Sequence, residues 1–177
     1  MKLLRTIRLD ASDTFIFPAA AEPGDWAISG AFVFEATSET LMGRKLAAFR
    51  GGFLGIPSLG WSTLAQVVDA DASDRAAAID ALARCLIERY GAPDLEAARA
   101  AAAEELDFAA SLAEHPTGTL VAVRRTLEAD TICEAFRTLQ PRMDSGQWRV
   151  FAFGEATAEA EPSEAVDLAG LARGERS

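Results

Sequence analysis

A chain of 177 residues, half of them hydrophobic and a quarter charged, has the size and composition of one folded domain, which excludes wholesale disorder. Its net charge is −10, and residues 1–60 balance six cations against six acids, so the whole deficit lies in residues 61–177. Nucleic acid and anionic membrane are therefore excluded as general partners, because both require a positive face.

In chain order, "LLRTIRL" alternates as a strand over residues 2–9. "TFIF" (14–17) and "WAISGAFVF" (26–34) are rich in aromatic and β-branched residues, and the Pro-Gly turn between them predicts a hairpin. Thr37-Ser38-Glu39 marks a helix start, with Met42, Leu46 and Phe49 at helical spacing and Gly51 at the left-handed end position. "WSTLAQVVDA" (61–70) is a further strand. Next comes the clearest helix, capped by Ser73, with Ile79, Leu82, Ala83, Leu86, Ile87 and Tyr90 on one face and Gly91 and Pro93 at its end. An alanine-dense helix follows from Asp94 to Glu114. Its small residues let it pack closely on its predecessor as an antiparallel hairpin.

"GTLVAVRRTL" (118–127) is a strand. Residues 130–140 read two ways, strand or helix; Thr131-x-x-Glu134 resembles a capping box, with Ile132, Phe136 and Leu139 on a helical face. "MDSGQ" is a turn and "WRVFAFG" (148–154) a last strand. The expectation is α+β: a mainly antiparallel sheet of about five or six strands covered by helices, with a central helical hairpin. Residues 1–154 form this single domain, and 155–177 an acidic, flexible tail whose "EATAEAEPSEAVD" carries five acids and no cation.

Charges at positions 2, 5, 8 and 10 leave no room for the apolar core of a signal peptide, and no stretch approaches the roughly 18 apolar residues of a membrane span. Cys85 and Cys133 lie far apart and outside any Cys-x-x-Cys pair, which suits a reducing cytosol. A cytoplasmic location is expected.

Motifs for chemistry are scarce. His115 is the only histidine, so a His-rich zinc site is excluded and no metal or cofactor is expected. His115-Pro116 reads as a helix end, where a partly charged imidazole suits the negative end of the dipole. Cys85 reads as a packing residue. Cys133, in the first turn of the helix reading, is the better candidate for a reactive thiol. Glu104, Glu105 and Asp107 fall on the solvated side of their helix. No nucleophile elbow or nucleotide fingerprint occurs, so the sequence leans against an enzyme and assigns no catalytic residue.

The remaining candidate is "GRKLAAFRGGFLGIPSLGW" (43–61), which gathers three cations and five glycines without one acid. Arg44, Lys45 and Arg50 offset the negative end of a helix, and Gly51 and Gly52 supply left-handed turns beyond it. A functional use competes with that structural one: Arg44 and Arg50, with Lys45, Gly51, Gly52 and Trp61, form an anion- or partner-binding surface. Trp26, Trp61 and Trp148 all sit at strand starts, where they serve as sheet core or, if exposed, as interface anchors.

Through "MKLLRTIRLDASDTFIF", "EPGDWAISGAFVF" and "RKLAAFRGGFLGIPSLGW", and onward to "WRVFAFGE", the chain resembles a small bacterial family of uncharacterised proteins. The resemblance transfers no catalytic residue. It implies an accessory role beside molybdenum or iron–sulfur oxidoreductases. The expectation is a non-catalytic cytoplasmic accessory protein binding another protein in maturation of a redox enzyme; the alternative is a domain binding a small anionic metabolite, with enzyme activity left open. Homo-oligomerisation is left open as well.

Overall fold

The computed structural model describes residues 1–35, 41–129, 131–141 and 148–152. Thr37-Ser38-Glu39, the "MDSGQ" turn and the acidic tail lie outside these residues.

Eight strands make one sheet: β1 (Lys2–Ile7), β2 (Trp26–Ile28), β3 (Phe53–Ile56), β4 (Trp61–Ser62), β5 (Leu64–Asp69), β6 (Leu120–Glu128), β7 (Thr131–Pro141) and β8 (Trp148–Ala152). Their order is β4-β3-β2-β1-β5-β6-β7-β8, and every ladder is antiparallel. Five helices complete the described fold: α1 (Ser12–Ile16), α2 (Phe32–Glu35), α3 (Gly43–Gly51), α4 (Ala72–Tyr90) and α5 (Leu95–Leu112). The α+β class holds. The sheet exceeds the expected five or six strands: "TFIF" is lost from it, but β3 is not anticipated by the sequence, one predicted strand breaks at Thr63 into β4 and β5, and the segment that reads two ways is β7.

Three local readings are corrected. "TFIF" belongs to α1 and its exit, not to a strand. Buried Asp13 holds that turn, accepting a hydrogen bond from the Thr63 hydroxyl at 2.5 Å, and only Phe17 of the apolar run is buried. The hairpin partner of β2 is consequently β1, paired at Arg5 and Trp26. "WAISGAFVF" stops being a strand at Gly30, which turns left-handed at φ 74°; a Cβ there would lie 2.6 Å from Leu54 Cβ. The chain then closes into α2.

The long helices follow the apolar spacing. α4 is capped by Asp71, not Ser73. The Asp71 carboxylate accepts from the Asp74 amide at 2.8 Å and the Asp74 carboxylate returns the bond at 3.0 Å. Gly91 ends α4 at φ 72°, and Asp94 caps α5 by accepting from the Ala97 amide at 2.8 Å. Leu82, Ala83 and Leu86 on α4, with Ala98, Ala102 and Leu106 on α5, go into the core. Ion pairs of Arg75 with Asp107 and of Arg99 with Asp80 cross between the two and fix the hairpin as antiparallel. Both pairs are partly exposed, so packing rather than charge holds the helices together.

Residues 131–141 are strand, which settles the two-way reading against the capping box. β6 and β7 pair from Leu120 with Leu139 to Glu128 with Thr131. Period-two alternation places Glu134, Phe136 and Thr138 opposite Arg125, Val123 and Val121. α5 packs on β1 and β2, α4 reaches β3, and α3 lies on β6.

Candidate functional site

The cationic segment is α3. Ala48 and Phe49 face inward, while Arg44, Lys45 and Arg50 are exposed. Because the helix begins at Gly43, Arg44 and Lys45 occupy its first turn, at the positive end of the dipole. They do not offset the negative end, as their place in the sequence suggested; only Arg50 stands in the last turn. Six residues at 100° each put Arg44 and Arg50 about 120° apart around the axis, so the two do not converge on one anion.

The last carbonyls of α3 are answered from the sheet. Arg125, 1 % exposed on β6, donates from Nη1 to the Phe49 carbonyl at 3.1 Å and the Gly52 carbonyl at 2.8 Å. Its Nη2 donates to the Ser29 carbonyl and to Ser29 Oγ, and its Nε to Glu134 Oε1 at 2.6 Å. The Ser29 hydroxyl in turn donates to Glu134. Burial pulls the Arg125 pKa down and Glu134 opposes that pull, so the group stays cationic.

Gly51 and Gly52 are not left-handed. Gly51 is helical, and Gly52 is extended at φ −102°, its amide donating to the Ala48 carbonyl at 2.9 Å. Gly52 is required by close approach instead: a Cβ there would lie 2.8 Å from Trp61 Cε3. Trp61, 6 % exposed, is core and not an exposed anchor. It is tilted against Phe34, with ring centroids 5.0 Å apart, and Phe34 meets Phe49 edge-on at 5.3 Å.

Phe34 and Trp61 line a cavity of about 230 Å³ together with Pro18, Val33, Leu41 and Ala48, and Lys45 is the one charged residue lining it among the described residues. Around it the apolar surface is left in solvent. Phe15 (68 % exposed) and Ile16 precede Pro18 on α1, which touches α3, and Met42 (72 % exposed) stands just before α3. Of the sequence candidates, Lys45 and Trp61 share this cavity and Gly52 abuts Trp61; Arg44 and Arg50 line no part of it.

Elsewhere the chemistry is thin. Cys85 is half-buried on α4, its thiol pushed up by burial and by neighbouring Glu88. Cys133 lies on β7 opposite Thr126, so the helix-terminus argument for a reactive thiol falls with the helix. Two cavities of about 250 and 350 Å³ share Ser111 and Glu114 near the end of α5, one lined by His115 and the other by Lys2 and Asp107. Burial lowers the His115 pKa, which disfavours the charged imidazole that the helix-end reading assumed. Glu104 is exposed, Asp107 pairs with Arg75, and Glu105 is half-buried within the field of Arg125. Among the described residues no three His, Cys, Asp or Glu side chains gather as metal ligands, and no helix is long and apolar enough to cross a membrane.

Sequence reasoning missed Arg125 and the cavity wall. One signal was available: of two consecutive arginines in a strand, Arg124 and Arg125, one must face inward and needs a carboxylate across the ladder.

Residues 1–156 match DUF6505, a family of unknown function, and the chain belongs to that family. No curated protein and no solved structure matches it.

Proposed function

We propose that this protein is a non-catalytic accessory protein that docks another protein on the α3 face. The observation that carries the reading is the apolar Trp61 cavity together with exposed Phe15, Ile16 and Met42 on the segments that lead into its lining residues Pro18 and Leu41, beside a helix with three cations and no acid. Exposed apolar surface with a charged border is what protein interfaces present before binding. A small anionic metabolite is the weaker reading: Arg44 and Arg50 diverge, and neither opens into the cavity. A redox enzyme as the client is the expectation that the pull-down tests.

Tagged full-length protein and an Arg44→Glu/Arg50→Glu variant of equal melting temperature are used as baits in extract of the native cell. One partner kept by the wild type and lost by the variant supports the reading, and an oxidoreductase subunit would identify the client class. Recovery of nothing by the wild type, with a thermal shift on adding small dicarboxylates or phosphate, favours the metabolite reading instead.

A further inference from the structure

We infer that the segment recognised on this face is an acidic stretch of a partner protein that inserts a single large apolar side chain into the Trp61 cavity. This rests on the docking reading above and adds the chemistry of the partner. The volume, about 230 Å³, is below the roughly 300–1,000 Å³ of small-molecule sites and suits one aromatic or long aliphatic side chain. Its wall is apolar at Pro18, Val33, Phe34, Leu41, Ala48 and Trp61, with Lys45 as the one cation beside them among the described residues, so the inserted group is apolar. A rigid anchor in such a pocket carries a large share of the binding energy in protein interfaces.

The charge flanking the anchor is set by α3. Arg44 and Lys45 are exposed in its first turn, where the helix dipole is also positive, and Arg50 is exposed at its far end. Among the described residues no hydrogen bond or ion pair engages Arg44 or Arg50. A partner with carboxylates on both sides of its anchor meets cations along the helix. The net charge of −10 does not prevent this, because salt screens charges beyond roughly 8 Å at physiological ionic strength.

The test selects a random twelve-residue peptide library on the full-length protein and remakes the enriched peptides with a fluorescent label for anisotropy titration. Three proteins of matched circular dichroism and melting temperature are compared: wild type, Arg44→Glu/Arg50→Glu, and Val33→Trp, which fills the cavity from a half-buried wall. If Val33→Trp does not fold, Leu41→Trp, on another wall, replaces it. The expected winners carry one aromatic residue, leucine or isoleucine with at least two carboxylates within three positions. Each variant, and replacement of the anchor by alanine, raises Kd at least tenfold. Enriched peptides that are neutral or basic yet weakened by the variants overturn the acidic-anchor inference and leave the docking surface standing. No enrichment, or binding indifferent to both variants, overturns the docking surface and the inference together.

Discussion

Arg125 shows what a buried charge requires. All five N–H donors of its guanidinium are used, on the carbonyls of Phe49, Gly52 and Ser29, on Ser29 Oγ and on Glu134. One side chain therefore ties β6, β7 and the residue that follows β2 to the end of α3. Arg125→Met would fill similar space but leave three carbonyls and a carboxylate without these donors. Breaking one side of a buried pair in this way costs about 3–5 kcal/mol. Arg125→Lys keeps the charge but concentrates its donors at one point, so it recovers only part of the loss. Urea unfolding checks both. The expected order of midpoints is wild type, Lys, Met, with similar slopes; a Met variant within about 1 kcal/mol of wild type would show that the network is dispensable.

At the scale of elements, α3 depends on how closely its end meets the sheet. In Gly52→Ala the new methyl meets Trp61 and, at 3.0 Å, the Ala48 carbonyl, so the helix end must lift. Overpacking of this kind costs about 1–3 kcal/mol. Gly118→Ala is the contrast: its φ of 91° carries backbone strain, but nothing lies within 4 Å of the added Cβ. Both variants lose stability, and only Gly52→Ala changes the near-ultraviolet circular dichroism of the Trp61–Phe34–Phe49 cluster. Equal spectra would place the cost of Gly52→Ala elsewhere. The same contrast between local and distant causes explains what could be read in the sequence. α4, α5, β1 and β6 are written in their own apolar spacing, whereas the cap of α4 and the end of α3 that Arg44 and Lys45 occupy were misplaced. "TFIF" has the composition of a strand but is turned by Asp13 bonding Thr63, fifty residues on. Thr131-x-x-Glu134 has the local form of a helix cap, yet Glu134 is held by Arg125 across the ladder. Pairing overrides local preference in both cases. The cations of the site were legible because charge is local; its cavity was not, because Pro18, the α2 residues Val33 and Phe34, and Trp61 of β4 come from distant parts of the chain.

For the molecule as a whole, the response to pH combines an acidic surface with one histidine. An unperturbed carboxylate has a pKa of about 4, and Asp10 titrates lower than usual because Ser12 hydrogen-bonds its carboxylate. The interval from about pH 7 to 5.5 therefore belongs to His115. Burial holds His115 below the usual value of about 6.5, Glu114 opposes this and Lys2 adds to it. Between the folded and unfolded pKa values the unfolded chain binds more protons, so stability rises with pH across that interval. The contribution is intact above the unfolded pKa and is lost as pH falls through the folded one. The melting temperature is thus expected to fall from pH 7.5 to 5.5, and His115→Gln is expected to flatten that slope. Relief of self-repulsion in a chain of charge −10 acts in the opposite direction, but it needs carboxylate protonation and so enters at lower pH. A wild-type melting temperature that holds or rises on acidification, or a slope unchanged in His115→Gln, would mean that the half-buried imidazole does not govern this interval.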